Sequence, residues 1–309
     1  MLQTINETYI ELNSVPTKIS TIGKTIGDAF EVGENLVIII PGNPGINSFY
    51  DKFAKRIHEK LKCSVWCVGH AGHNLSQPLK TVPNYKDNTD LYGLKGQVQN
   101  KVDFFAKYIP DNAKIHLIGH SIGSYMVLEL LENPSLSKRI NHSYLLFPTI
   151  ENMANSKNGK ILTNYVKYVV WLAILLSGLF MIFPRFIQTA LIHAYMKIVG
   201  IPNYNCENIR QLIKPSVLKR VFHLAYEEMD QVLERNNLSI KNNETKINFL
   251  YGKFDGWTPM SYYNNIKTDF PNINAEVTTI NHAFVLKSSY EVADIVSEKI
   301  TNLEKCNLA

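Results

Sequence analysis

Three hundred and nine residues, 45% hydrophobic and 19% charged, can bury a large core and are too apolar for a disordered chain. Four cysteines (Cys63, Cys67, Cys206 and Cys306) are too few and too scattered for a disulfide framework, and no second pair at zinc-ligand spacing follows the first. The net charge of +5 has a local origin: no Asp or Glu stands between Glu151 and Glu207, where Lys157, Lys160, Lys167, Arg185 and Lys197 equal the whole excess. Those cations accompany the most apolar part of the chain, a pattern that suits an anionic lipid surface and argues against nucleic acid.

The opening MLQTINETYIELN has neither a basic start nor an apolar core. It is no signal peptide, and a reducing, cytosol-facing location is expected. Two short strands, Tyr9–Leu12 and Lys18–Ile22, are predicted to break at Ser14–Val15–Pro16. Six apolar runs follow: Leu36–Ile40, Ser64–Val68, Ile115–Ile118, His142–Phe147, Ile247–Tyr251 and Glu276–Ile280. Such runs mark strands buried on both faces. Segments of helical period separate several of them, at Phe49–Leu61, Leu94–Tyr108, Gly123–Leu131 and Tyr290–Leu303. The alternation predicts an α/β fold with a mostly parallel sheet and helices on both faces. It is interrupted once. Residues 151–240 are helical in texture and read as a cap inserted into a core formed by 1–150 and 241–309.

Within the cap, Tyr168–Phe183 (YVVWLAILLSGLFMIF) is uncharged. A helix of this length reaches roughly 24 Å, short of the ~30 Å hydrocarbon core of a bilayer. Pro184–Arg185 ends it, and Phe186–Ile201 resumes as a more amphipathic segment. The pair reads as a hydrophobic hairpin around 161–201, entering and leaving a lipid surface on one side. Its acid-free flanks and aromatic edges favour lipid contact over burial as a core helix.

The chemistry begins where strand Ile115–Ile118 runs into Gly119–His120–Ser121–Ile122–Gly123 and a helix follows. Strand, G-x-S-x-G, helix is the nucleophile elbow in its required setting, with Gly119 and Gly123 clearing space around a strained Ser121. One oxyanion amide is expected from Ile122. The other is expected from Asn43, or an immediate neighbour, in the Pro41–Gly42–Asn43–Pro44–Gly45 loop after the first main strand. Asp255, in the Gly-flanked loop after Ile247–Tyr251, and His282, after Glu276–Ile280, complete the order Ser, acid, base. Glu151 is a weaker alternative acid. His70 and His73 are expected to shape a loop near the pocket, His120 to be a packing or pocket residue rather than the general base, and His116 to be a satisfied core histidine. No metal or nucleotide motif is present, so no cofactor is expected.

The blocks VIIIPGNPGINSFYDKF, GLKGQVQNKVDFF, LIGHSIGSYM, LLFPTIENMANSKNGK, NFLYGKFDGWTP and INHAFV together resemble the lipid droplet-associated hydrolases, a branch of the α/β-hydrolase superfamily. The resemblance runs from about Leu36 to the last helix. It implies an α/β-hydrolase fold with a partly membrane-embedded cap, Ser121 as nucleophile, Asp255 as acid and His282 as base. It also implies association with the phospholipid monolayer of lipid droplets and with the endoplasmic reticulum through the central hydrophobic region. The implied activity is hydrolysis of a neutral lipid ester, with sterol ester as the proposed substrate, in droplet turnover, size or fusion and lipid storage. The alternative is a droplet-surface organising or tethering protein with weak or no hydrolase activity.

Overall fold

A computed structural model describes residues 4–74 and 82–306. Eight strands are present: β1 (Asn6–Leu12), β2 (Val15–Ile22), β3 (Asn35–Ile40), β4 (Ser64–Val68), β5 (Lys114–His120), β6 (Ile140–Leu146), β7 (Ile247–Gly252) and β8 (Asn274–Thr278). They form one sheet in the order β1-β2-β4-β3-β5-β6-β7-β8. The pairs from β4 to β8 are parallel, and β1 and β2 join antiparallel at one edge. The expected α/β architecture with a mostly parallel sheet is therefore present.

Period-two alternation divides the core between the two faces of the sheet. Leu36, Ile38 and Ile40 of β3 face one side with Leu117, Phe249 and residues of α2 (Leu94–Tyr108) and α3 (Ile122–Glu132). Val37 and Ile39 face the other side with Val65, Ile118, Leu250 and residues of α1 (Asp51–Leu61) and of the last helix, Ser289–Cys306. All five β3 residues are inaccessible to solvent, the pattern of a strand covered by helices on both faces.

Several strand boundaries differ from the sequence expectation by one to three residues, two of them at the edges of the sheet. The first hairpin turns at Asn13 and Ser14, both at positive φ (46° and 62°), so Val15 and Pro16 belong to β2. A two-residue turn of this type matches the twist of its strands. Pro16 is tolerated because β4 pairs with β2 only from Ile19 to Ile22. At the opposite edge β8 ends at Thr278, paired with Gly252, rather than at Ile280. The chain leaves the sheet there and turns towards the site.

Between β6 and β7 the chain is helical. One continuous helix runs from Lys157 to Ile182, 26 residues, through a π-helical turn at Leu162–Val166. Its last part, α4 (Lys167–Ile182), is broken from α5 (Arg185–Val199) at Phe183–Pro184. Then come α6 (Cys206–Ile213) and α7 (Pro215–Gln231). The helix thus starts eleven residues before the apolar span and is long and apolar enough to cross a membrane. A core helix it is not: of its most apolar 18-residue window only 6% is buried. Trp171, Leu175, Leu179, Ile182, Phe183 and Phe186 are exposed, whereas the buried Ser177 hydroxyl donates to the Ile213 carbonyl and ties α4 to the protein. After β7 come α8 (Met260–Asp269) and α9 (Ser289–Cys306).

Candidate active site

Ser121 stands between the end of β5 and the start of α3 with φ 54° and ψ −123°, a conformation costly for any residue with a Cβ. The turn closes because its neighbours are glycines. A Cβ on Gly119 would come 2.7 Å from the Gly123 carbonyl oxygen, and one on Gly123 would come 2.3 Å from the Ile40 carbonyl oxygen. Gly42 is held as tightly: a Cβ there would lie 2.9 Å from Ser121 Cβ. The loop after β3 and the elbow after β5 are consequently in contact at the carboxyl ends of adjacent parallel strands.

The structure brings together three side chains from three strand ends. His282 Nε2 lies 2.9 Å from Ser121 Oγ, and His282 Nδ1 lies 2.7 Å from Asp255 Oδ2. An ionised carboxylate only accepts, so Nδ1 carries the proton and Nε2 is free to accept from the serine hydroxyl. The Asp255 side chain is fully buried. Burial alone would raise its carboxyl. The hydrogen bond and charge of His282, with bonds from the Trp257 amide (2.8 Å) and the Thr258 hydroxyl (2.8 Å), outweigh burial and hold it below the usual range. Thr258 and Tyr50 carry no motif that sequence patterning could isolate; the Asp-x-x-Thr spacing of a local side-chain turn was the one available signal.

Tyr50 belongs to a second chain of hydrogen bonds that spans the site. The Gly42 amide donates to the Tyr50 hydroxyl (2.7 Å), and Tyr50 lies 2.6 Å from His120 Nδ1. His120 Nε2 in turn lies 3.0 Å from the His282 carbonyl oxygen. Since that carbonyl can only accept, His120 carries its proton on Nε2 and accepts from Tyr50 on Nδ1. Burial, then the neighbouring His282, pushes His120 down to about 3, so it stays neutral. His120, expected as a packing or pocket residue, lines the pocket.

The backbone amides of Asn43 and Ile122 donate to no group among the described residues, and both loops open on a cavity of about 460 Å³. Ser121, His282, Gly42, Asn43 and Tyr50 form its floor, and Phe180 of α4, Leu191, Ile192 and Tyr195 of α5, and Leu212 of α6 form its apolar walls. The helical segment also holds the loop after His282. Asn205 Nδ2 donates to the Leu286 carbonyl (3.1 Å), and Lys287 Nζ donates to the Val199 carbonyl (2.8 Å).

The remaining candidates lie elsewhere. Glu151 accepts from Arg235 (3.0 Å) in a buried ion pair and takes no part in orienting His282. His73 Nδ1 accepts from the Gly45 amide (3.0 Å), and a Cβ on Gly45 would strike His70, so both histidines shape the loop that carries Asn43. His116 is buried but not satisfied: neither ring nitrogen has a hydrogen-bond partner among the described residues. It instead stacks on His142 with ring centres 6.1 Å apart, and burial first, then His142, lowers it to about 4 and keeps it neutral.

Comparison with known proteins agrees with this architecture. The family model described as lipid-droplet associated hydrolase matches residues 33–285. The lipid droplet-associated hydrolase of Drosophila melanogaster is 40% identical over 303 residues, covering 96% of this chain and 98% of that protein. The proteins of the same name from Mus musculus and Homo sapiens are each 36% identical, covering 96% and 86% of this chain and 95% and 84% of their own length. Among solved structures, a bacterial membrane phospholipase A superposes with a TM-score of 0.63 at 14% identity, covering 97% of this chain and 87% of that one. A thioesterase domain from the curacin biosynthetic pathway superposes with 0.63 at 11% identity, covering 95% and 99%. At such identities the likeness speaks for the α/β-hydrolase fold alone. On the family model and the relatives together, the chain belongs to the lipid droplet-associated hydrolase family.

Proposed function

We propose that this hydrolase is a serine esterase for neutral lipid esters, with sterol esters as its substrate class, working on the cytosol-facing monolayer of lipid droplets and on the endoplasmic reticulum. Ser121 Oγ attacks the acyl carbonyl while His282 Nε2 takes its proton, and Asp255 holds the imidazole tautomer and the imidazolium that forms. The oxyanion is met by the amides of Asn43 and Ile122, the latter at the positive end of α3. His282 then protonates the leaving alcohol, and water, deprotonated by the same imidazole, releases the acid.

One observation supports this reading above the rest: the Ser121–His282–Asp255 chain closes at 2.9 Å and 2.7 Å on the floor of an apolar cavity. Two of its wall helices, α4 and α5, also carry exposed apolar side chains, among them Leu175, Leu179 and Ile198. Residues 151–240 act as the cap, and the hairpin around 161–201 lies in the phospholipid surface with its basic residues at the headgroups. An acyl chain then passes from lipid to Ser121 between α4, α5 and α6 without crossing water. The extent of the outer apolar face taken alone favours a second role, organising or tethering the droplet surface.

One experiment separates the two: labelling by a serine-directed fluorophosphonate, together with the lipid classes released from a sterol-ester emulsion, for the intact protein and Ser121→Ala. Esterase action gives labelling and free fatty acid that both vanish in Ser121→Ala. Absence of any Ser121-dependent signal leaves the tethering role.

A further inference from the structure

Helix α7 turns an apolar stripe towards the core: Val217 and Leu224 are fully buried, and Val221, between them in sequence, packs against the same cluster as Val217. The next position on that stripe is Glu228, 4% exposed, where the pattern calls for an apolar side chain. Among the described residues no cation pairs with it; its contact is Asn43, whose Nδ2 donates to Glu228 Oε1 (3.0 Å). The second proton of the same Nδ2 goes to the Val221 carbonyl (2.9 Å), two helical turns earlier. Both protons of the Asn43 amide are thus used on one face of α7. A flipped amide would set its oxygen against the Val221 carbonyl, so the orientation is determined.

We infer that Glu228 is a positioning residue of the hydrolytic site: through the Asn43 side chain it holds the loop whose Asn43 amide faces the developing oxyanion. The inference rests on the esterase reading above and assigns a function to a carboxyl that the proton relay does not use. Burial, with the Asn43 bond opposing it in part, pushes Glu228 up to about 8, so the acid is neutral at pH 7 and needs no cation. A neutral acid still accepts from Asn43 and keeps its place without the cost of a buried charge. The anchor also ties catalysis to the inserted helices, since α7 lies in the same segment as the lipid-facing α4 and α5.

The test exploits the difference between the Asn43 backbone and its side chain. Asn43→Ala keeps the amide that would meet the oxyanion and removes only the anchor; Glu228→Leu removes the acceptor, and Glu228→Gln keeps one. Turnover of a short, soluble p-nitrophenyl ester is measured for each, and for Asn43→Ala/Glu228→Leu, with thermal unfolding as a check on folding. A small displacement of a catalytic donor costs on the order of 10- to 100-fold. Asn43→Ala and Glu228→Leu are therefore expected to lose about that much kcat with KM within about threefold. The double variant is expected to be no worse than either single one, and Glu228→Gln to stay within about threefold of the parent. Unchanged kcat in Asn43→Ala, or losses that multiply in the double variant, would overturn the inference. Should Glu228→Leu not fold, Asn43→Ala and Glu228→Gln still decide it. An inactive parent protein points elsewhere, to failure of the esterase reading itself, and withdraws the inference with it.

Discussion

Lipid seating can be tested at the tip between α4 and α5. Ile182 is 78% exposed and Phe186 73% exposed, on either side of the Pro184 break. Fully burying one such side chain contributes about 1.5–3 kcal/mol. Placing both in a monolayer, each about three-quarters exposed to begin with, therefore contributes about 2–4.5 kcal/mol, or roughly 30- to 2000-fold in partitioning. Replacing both with serine removes that contribution without touching the core. The measurement is flotation with phospholipid-coated triolein emulsions over a range of lipid concentration, alongside turnover of a soluble ester. The expected result is a partition coefficient at least about 30-fold lower with soluble-ester kcat intact. A double variant that floats like the parent, while remaining folded and active, would refute the claim that this tip enters lipid.

Four further outcomes are expected. Asp255→Asn presents an N–H to His282 Nδ1, reverses the imidazole tautomer and lowers kcat by on the order of 10⁴, read with a soluble ester at neutral pH. Retention of more than a tenth of the activity would remove Asp255 from its role. Tyr50→Phe breaks the bonds to Gly42 and His120 together, so a kcat loss of about tenfold with little change in KM is expected from steady-state kinetics. Exchanging Lys167 and Arg185 for glutamine lowers affinity for anionic vesicles by about 1 kcal/mol per residue and leaves binding to zwitterionic vesicles nearly unchanged, as vesicle sedimentation would show. Glu228 gives a pH signature. Its folded value of about 8 lies above the ordinary 4.5, so its contribution to stability is full below 4.5 and is lost as pH rises towards 8. Relative to Glu228→Gln, the melting midpoint of the parent should fall across that window, by at most about 5 kcal/mol of stability. A constant difference between the two proteins would show that the carboxyl is not raised.

Strands and elbow were legible because their causes are local. Leu36–Ile40 and Ser64–Val68 are uninterrupted apolar runs, and only a doubly covered strand accommodates them. Ser121 announces itself because a strained turn tolerates only glycine two residues either side. Asp255 and His282 could be named from chain order, since the topology sets the strand ends where they stand side by side. Other features depend on partners distant in sequence. Pro16 enters β2 because β4 begins its pairing later, and β8 stops at Thr278 because β7 stops at Gly252. The long helix starts at Lys157 because Ser156 caps it, accepting from the Gly159 amide, and hydropathy alone does not register a cap. Glu228 was invisible for the converse reason. On a helix of mixed polarity one carboxylate looks like part of the wet face until its partner, Asn43, is known.

The inserted helices supply groups on which the reactive floor depends. Val221 and Glu228 grip the loop bearing Asn43, and Val199 and Asn205 grip the loop that follows His282. Excising the segment would therefore unfasten both sides of the Ser121–His282–Asp255 site along with the exposed apolar helices. Water solubility and catalysis are best separated by repainting the outward surface of α4 and α5 residue by residue, leaving their inward side and the two clasps in place.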